Sequence, residues 1–225
     1  MTTQTSSEPG SRAYSMLCNM RSYLAPARCR KVASRLLVAL LLLATALTTS
    51  PGEPLQVLLV EIGGILMLIV GVLGRIWCSL YIAGRKNSEL CTDGPYSLCR
   101  NPLYLFSFLA LIGLLLAARL RLLALIVSPV FWCFHYFVIR TEEKLLGGLF
   151  GESYEKYCRS VPRIWPRAVG YWSRRTLPVD AHLMARALSE VAWFLIAFAC
   201  FEVIEHMRGA SLGNGQLPVL FIWPF

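Results

Sequence analysis

Apolar residues gather in five runs, at 32–49, 55–82, 102–118, 122–139 and 187–207. A helix needs about 20 apolar residues to cross a hydrocarbon core of about 30 Å, so each run predicts a membrane-embedded helix. Ser50-Pro51-Gly52-Glu53-Pro54 makes a tight break between the first two runs, which therefore predict a helical hairpin. Arg119 and Arg121 separate the third and fourth runs and mark the tip of a second hairpin. The fifth run follows a basic segment punctuated by Pro162 and Pro166. Residues 1–31 are rich in Ser, Thr and Arg, with Glu8 as their one acid, and show no sustained apolar period. They predict a disordered or surface-lying tail, and an organelle presequence has a similar composition. A cleaved signal peptide is the rival reading of 32–49, but the basic leader before it is long for one.

Composition strengthens this picture. Of 225 residues, 56% are hydrophobic and 16% charged, and the mean hydropathy is +0.55, so lipid is the expected solvent. The predicted fold class is all-α, a polytopic transmembrane helical bundle of about five spans. It divides into a basic tail (1–31), an N-terminal hairpin (32–83), a core (84–167) and a C-terminal segment with one extra helix (168–225).

Twenty-two Lys and Arg against thirteen Asp and Glu give a net charge of +9. Eighteen of the twenty-two basic residues fall in 1–35, 83–101 and 140–186, which lie on one side of the membrane if there are five spans. The positive-inside rule makes that side cytoplasmic, with Arg119 and Arg121 dissenting. Topology thus accounts for the charge, and no nucleic-acid partner is needed. The eight cysteines form no CxxC pair and no His stands at metal-ligand spacing, so they read as small apolar fillers and no metal site is expected. Glu61 and Arg75 interrupt the second run, where a charge costs roughly 2.5 to 3.5 kcal/mol at the bilayer centre. Arg75 either snorkels to the interface or lines a polar cavity.

Two polar stretches on the cytoplasmic side are too particular for ordinary loops: 88–104, and 140–143 with 150–157 and 161–163. In the first, Gly94-Pro95 makes a turn, and Pro102 pushes Asn101 out of helical geometry. That leaves unpaired N–H groups at a helix mouth, where a polar ligand can be received. In the second, Glu142 and Glu143 repel one another unless solvated or bound to something cationic; a helix end at the membrane surface is the plainer reading. Tyr154 and Tyr157 share a helical face, as interfacial aromatic anchors do.

Together, Gly94-Pro95-Tyr96, Arg100-Asn101-Pro102-Leu103-Tyr104, Glu142-Glu143, Phe150-Gly151, Tyr154, Tyr157, Val161-Pro162 and Pro166 resemble, in order, the motifs of the isoprenylcysteine carboxyl methyltransferase and phospholipid methyltransferase superfamily. The resemblance covers roughly residues 70–167. It departs at Asn101, where the eukaryotic prenylcysteine enzymes carry His and many bacterial relatives carry Asn.

The resemblance implies an S-adenosylmethionine site on the cytoplasmic side, cradled by Ser88, Glu89, Leu90, Cys91, Tyr96, Arg100, Asn101, Pro102, Leu103 and Tyr104. Glu142, with Glu143 beside it, would meet a polar group of the cofactor, and Tyr81 joins by spacing. A carboxylate and tyrosine faces suit a ligand bearing a sulfonium and an ammonium. Arg140 is the candidate catalytic residue, forking onto an acidic acceptor; a snorkelling or topological arginine is the other reading. The expected partners are the lipid bilayer and an amphiphilic or prenylated acceptor, best an isoprenylcysteine α-carboxylate. The alternatives are phospholipid N-methylation, an NADPH-dependent sterol-type reductase, which shares part of the signature, and a non-catalytic relative.

Overall fold

The structure is a computed structural model that describes residues 48–49, 54–85, 88–167, 170–212 and 221–222. Of the expected first span only Thr48 and Thr49 fall among them, and they pair in parallel with Phe221–Ile222 as a two-residue ladder. The rest of that span and the basic tail lie outside the described residues. What remains is helical: α1 (Pro54–Ile82), α2 (Pro95–Leu98), α3 (Pro102–Ala117), α4 (Arg121–Phe150), α5 (Glu152–Ser160) and α6 (Ala181–Leu212).

Each boundary has a local cause. Proline opens α2 and α3, where a missing N–H costs nothing. Asp180 caps α6, its Oδ1 accepting from Leu183 N at 3.0 Å. Arg119, in the left-handed region at φ 58°, turns the chain from α3 into α4. Among the described residues, three helices are long and apolar enough to cross a membrane: Leu55–Ile82, Arg121–Phe150 and Ala181–Ile204. The 16 residues of α3 reach about 24 Å at 1.5 Å per residue.

The packing centres on α1 against α3, whose backbones approach through small residues. A Cβ on Gly64 would lie 2.5 Å from Ala117 N, and one on Gly71 would overlap the backbone of Ala110. In lipid, where apolar contact alone drives no association, such close approach is what holds helices together. Leu115, Ala110 and Cys78 are fully buried in the seam, while Leu59, Leu73, Leu125, Phe137 and Val203 are exposed around the outside, as a lipid-facing belt requires. The two odd charges at the far end meet each other. Arg119 donates to Glu61 Oε2 from Nε (3.2 Å) and Nη2 (3.0 Å), so the hairpin tip neutralises the acid inside α1.

The chain departs from sequence expectation after residue 139. The apolar run stops there, but α4 continues to Phe150, because Glu142, Glu143, Lys144 and three leucines continue it and only Gly151, at φ 50°, ends it. The expected second motif loop is therefore helix. Tyr154 and Tyr157, expected as interfacial anchors, are buried under α5 instead.

Candidate functional site

The site is built where α1, α3 and α4 end on one side of the bundle. Past α1, residues 83–85 and 88–94 surround a buried ion pair: Arg85 is 2% exposed and Asp93 0%. Arg85 Nη1 donates to both Asp93 oxygens, at 3.0 and 3.2 Å. Glu89 joins from Arg85 Nε at 3.1 Å, and Arg174 closes the network onto Asp93 at 3.3 Å and Glu89 at 3.6 Å. Gly94, at φ 60°, lets the turn run against the Tyr81 ring, where a Cβ would collide. The Tyr81 hydroxyl is 2.6 Å from Ser173 Oγ, and Gly94 N donates to Trp172 O at 2.7 Å. The segment around 172–174 thus straps the first motif loop.

Asn101 sits before Pro102 at φ −126°, ψ 52°, outside helical geometry, and makes no capping bond to α3. Its Nδ2 instead donates to Arg163 O at 3.1 Å. Arg100 N and Asn101 N donate to Pro162 O and Arg163 O, so the Val161-Pro162 motif is held against the mouth of α3 by backbone bonds. Glu143 reinforces this: Arg163 forks onto its two oxygens at 3.0 and 2.7 Å, and Arg100 approaches at 3.2 Å.

Glu142 differs. Adjacent helical residues are about 100° apart around the axis, so Glu142 turns from that ion cluster toward α3, where Tyr104 donates to its Oε2 at 2.9 Å. It forms no ion pair with a basic side chain among the described residues. Close by, Tyr96 is buried with a hydroxyl that has no hydrogen-bond partner among the described residues. Burial holds its pKa well above the usual value, with Glu142 adding to the shift, so the group stays protonated. Tyr157 donates to Tyr96 O at 2.6 Å and fixes α2 from α5. Tyr81, Tyr96, Cys91 and Leu103 share one apolar cluster with Cys78. Burial also raises the Cys91 pKa and lifts that of Cys99 to about 11. An open cleft of about 800 Å³ lies beside the loop, lined by Thr92, Ser97, Lys156, Arg167 and Trp172 among others. None of the cofactor candidates lines it.

The residues singled out in the sequence fall into two joined groups. Tyr81, Glu89, Cys91 and Tyr96 gather around the first loop, with Ser88 at its exposed edge bonded to Arg85 O and Leu90 half-buried beside Cys91. Arg100, Asn101, Pro102, Leu103, Tyr104, Glu142 and Glu143 gather at the helix mouth. Arg140 is not brought in. It is exposed, donates to Tyr136 Oη at 2.9 Å on its own helix, and lies about 200° around that helix from Glu142. Sequence reasoning missed Arg85 and the 172–174 strap, and it gave no role to Asp93 and Arg163 within the stretches it singled out. Arg85, Glu89 and Asp93, within eight residues of one another, were the local hint, whereas Arg163 and Arg174 are distant from their partners along the chain. Among the described residues no group of three or more His, Cys, Asp or Glu is placed to hold a metal ion.

Long apolar helices joined by close backbone contact, with a polar site at their ends, define an integral membrane protein. The chain belongs to the isoprenylcysteine carboxyl methyltransferase and phospholipid methyltransferase superfamily: residues 57–153 match the phospholipid methyltransferase family model. It is 36% identical over 161 residues to the nickel-cobalt-cadmium resistance protein NccN of Alcaligenes xylosoxydans xylosoxydans, which is 72% of this chain and 73% of that protein. It is 37% identical over 149 residues to the cobalt-zinc-cadmium resistance protein CzcN of Cupriavidus metallidurans, 66% of this chain and 68% of that protein. A shorter match, 36% over 83 residues, joins it to the protein-S-isoprenylcysteine O-methyltransferase of Schizosaccharomyces pombe and covers 36% of this chain and 35% of that enzyme. No solved structure matches it significantly.

Proposed function

We propose that the chain is an S-adenosylmethionine-dependent methyltransferase acting on an amphiphilic acceptor at the cytoplasmic face of its membrane, with an isoprenylcysteine α-carboxylate as the best single acceptor. The observation that carries this is the contrast between neighbouring carboxylates. Glu143 is paired with Arg100 and Arg163, whereas Glu142 accepts from Tyr104 near the Tyr96 hydroxyl, which has no hydrogen-bond partner among the described residues. A carboxylate kept without a cation in a half-buried site suits a cationic ligand. S-adenosylmethionine, when bound, supplies a methyl group on a sulfonium sulfur. Glu142 would hold its positive charge, Tyr104 orients Glu142, and the Tyr96 hydroxyl offers a buried donor to a polar group of the cofactor. Asn101 and Pro102 leave the first N–H groups of α3 uncapped by a side chain and available to the same ligand.

A carboxylate acceptor is already ionised at neutral pH, so no side chain has to remove a proton, and positioning and water exclusion supply the rate. An amine on a phospholipid would first have to lose a proton. The full-length protein in lipid nanodiscs, given methyl-labelled cofactor and N-acetylcysteine acceptors bearing farnesyl, geranyl or short alkyl thioethers, is expected to label the farnesyl compound best. A prenyl chain gains about 0.8 kcal/mol per buried CH₂, so efficient methylation of tail-less N-acetylcysteine would refute the membrane acceptor. Label in phosphatidylethanolamine would favour N-methylation, NADPH binding without S-adenosylhomocysteine binding a reductase, and neither a non-catalytic relative.

The names of the two longer matches support a physiological reading beside the biochemical one: methylation of a membrane component contributes to tolerance of cobalt, nickel or cadmium. A deletion strain should lose tolerance, and a Glu142→Gln copy should not restore it.

A further inference from the structure

We propose that the cleft beside α5 binds the phosphate head of an anionic phospholipid, and that filling it tightens the cofactor site. The coupling rests on the methyltransferase reading; the lipid site stands without it. The cleft, about 800 Å³, draws its walls from three places: Thr92 and Ser97 of the first motif stretch, Ser153 and Lys156 of α5, and Arg167 and Trp172 of the segment after Pro166. Two cations and several hydroxyls line it, and no carboxylate does. Ser97 spends its proton on Gly94 O at 2.6 Å, and Ser160 on Tyr157 O at 3.1 Å. The side chains of Thr92, Ser153, Lys156 and Arg167 have no such partner among the described residues. Two cations without counter-charges on one cleft call for an anion, and a phosphate offers both a charge and several acceptor oxygens.

The surroundings point to lipid as the source of that phosphate. Trp165, Tyr171 and Trp172 are 77%, 53% and 53% exposed, and Tyr171 leans on Trp77 near the end of α1, their ring centroids 6.1 Å apart. Exposed Trp and Tyr beside the ends of membrane helices mark the head-group level, and α6 begins at Ala181 just beyond. A basic pocket at that level receives anionic lipid heads, whereas a choline head brings a cation of its own. The same walls hold the first motif loop: Gly94 N donates to Trp172 O at 2.7 Å, Trp172 N to Ser97 Oγ at 3.2 Å, and Arg167 N to Leu98 O at 3.0 Å. A phosphate shared by Thr92, Lys156 and Arg167 would clamp that loop, with Cys91 and Tyr96, to α5 and the strap. A loop ordered by one ligand need not be ordered again by the other, so each tightens the other by the same factor. Lys156, Arg167 and Trp172 lie beyond the family-matched residues 57–153, so the site is an addition to the family core.

The test measures S-adenosylhomocysteine affinity by calorimetry on the full-length protein in nanodiscs of phosphatidylcholine, with and without added phosphatidylglycerol. Native mass spectrometry counts the phosphatidylglycerol retained on the protein. S-adenosylhomocysteine has no net charge, so the surface potential of the lipid does not concentrate it. Wild type is expected to bind it about fivefold tighter when phosphatidylglycerol is present. Lys156→Gln with Arg167→Gln should lose both that gain and the retained lipid, and keep wild-type affinity in phosphatidylcholine. Arg159→Gln with Arg175→Gln, which removes the same charge from exposed positions outside the cleft, should keep both. No gain in wild type, a gain that survives in the cleft variant, or an equal loss in the two variants would each overturn the proposal. An equal gain from inorganic phosphate in phosphatidylcholine nanodiscs would overturn the lipid as its source. If the double cleft variant does not fold, Lys156→Gln alone decides by the same criteria. Phosphatidylglycerol retained through Lys156 and Arg167 on a protein that binds no S-adenosylhomocysteine would uphold the lipid site and remove the methyltransferase reading.

Discussion

Converting Glu142 and Glu143 separately to glutamine should damage the protein in opposite ways, although the two changes are chemically identical and one residue apart. Glu143 is 14% exposed, Arg100 likewise 14%, and Arg163 is 41% exposed. Removing one partner of a buried ion pair costs about 3–5 kcal/mol. Because Arg163 is largely solvated, water recovers part of that, and about 2 kcal/mol is expected. At 2–4 °C per kcal/mol this lowers the melting temperature by roughly 4–8 °C, by loosening the Pro162 segment from the mouth of α3. Glu142 has a single bond from Tyr104 at 2.9 Å, and glutamine keeps an acceptor oxygen there, so stability without ligand should change by less than about 0.5 kcal/mol. Its loss should appear on binding: one charge-assisted interaction is worth about 1.5–3 kcal/mol, or roughly ten- to a hundredfold in S-adenosylhomocysteine affinity. Thermal unfolding in nanodiscs with and without S-adenosylhomocysteine, beside calorimetric titration, reads both quantities. If Glu142→Gln melted as early as Glu143→Gln and bound S-adenosylhomocysteine as wild type does, the division of roles would be wrong.

Asp93→Asn leaves Arg85 buried without its counter-charge and should cost about 3–5 kcal/mol, seen as early proteolysis between residues 83 and 94; an unchanged digestion pattern would count against that ion pair ordering the loop. The Cys99 thiol, raised to about 11 by burial, is protonated in the fold well above the unfolded value near 8.5. Its contribution is complete below about pH 8.5 and fades as pH rises toward 11, at up to about 1.4 kcal/mol per unit. Denaturant titrations at pH 8 and 10 should show a smaller drop for Cys99→Ala than for wild type, and equal drops would refute the assignment. Cys91 and Cys158 are expected to react with a membrane-impermeant maleimide from the cytoplasmic face only, and labelling from the opposite face would invert the topology.

The helices that bear on lipid were legible because the cue is local. Apolar runs at 55–82 and 102–118 became α1 and α3 with ends shifted by a residue, since proline dictates its own φ and its predecessor's conformation wherever it stands. The motif order likewise assigned the family without a coordinate. Charge partners were not legible. Sequence shows that Glu61 and Arg75 are costly in an apolar run, but the cost is relieved by Arg119, 58 residues away, and by Ser107 and Glu190 on two other helices. The end of α4 was hidden for a related reason: apolarity stops where lipid stops, whereas backbone hydrogen bonding does not. Helix continuation past residue 139 is what sends Glu142 toward Tyr104 and Glu143 toward Arg100 and Arg163. Local propensity and hydropathy are summed along the chain, whereas an ion pair depends on separation in space. The bundle was therefore written in the sequence, and only the tertiary structure decided which carboxylate meets guanidinium groups and which meets a tyrosine hydroxyl.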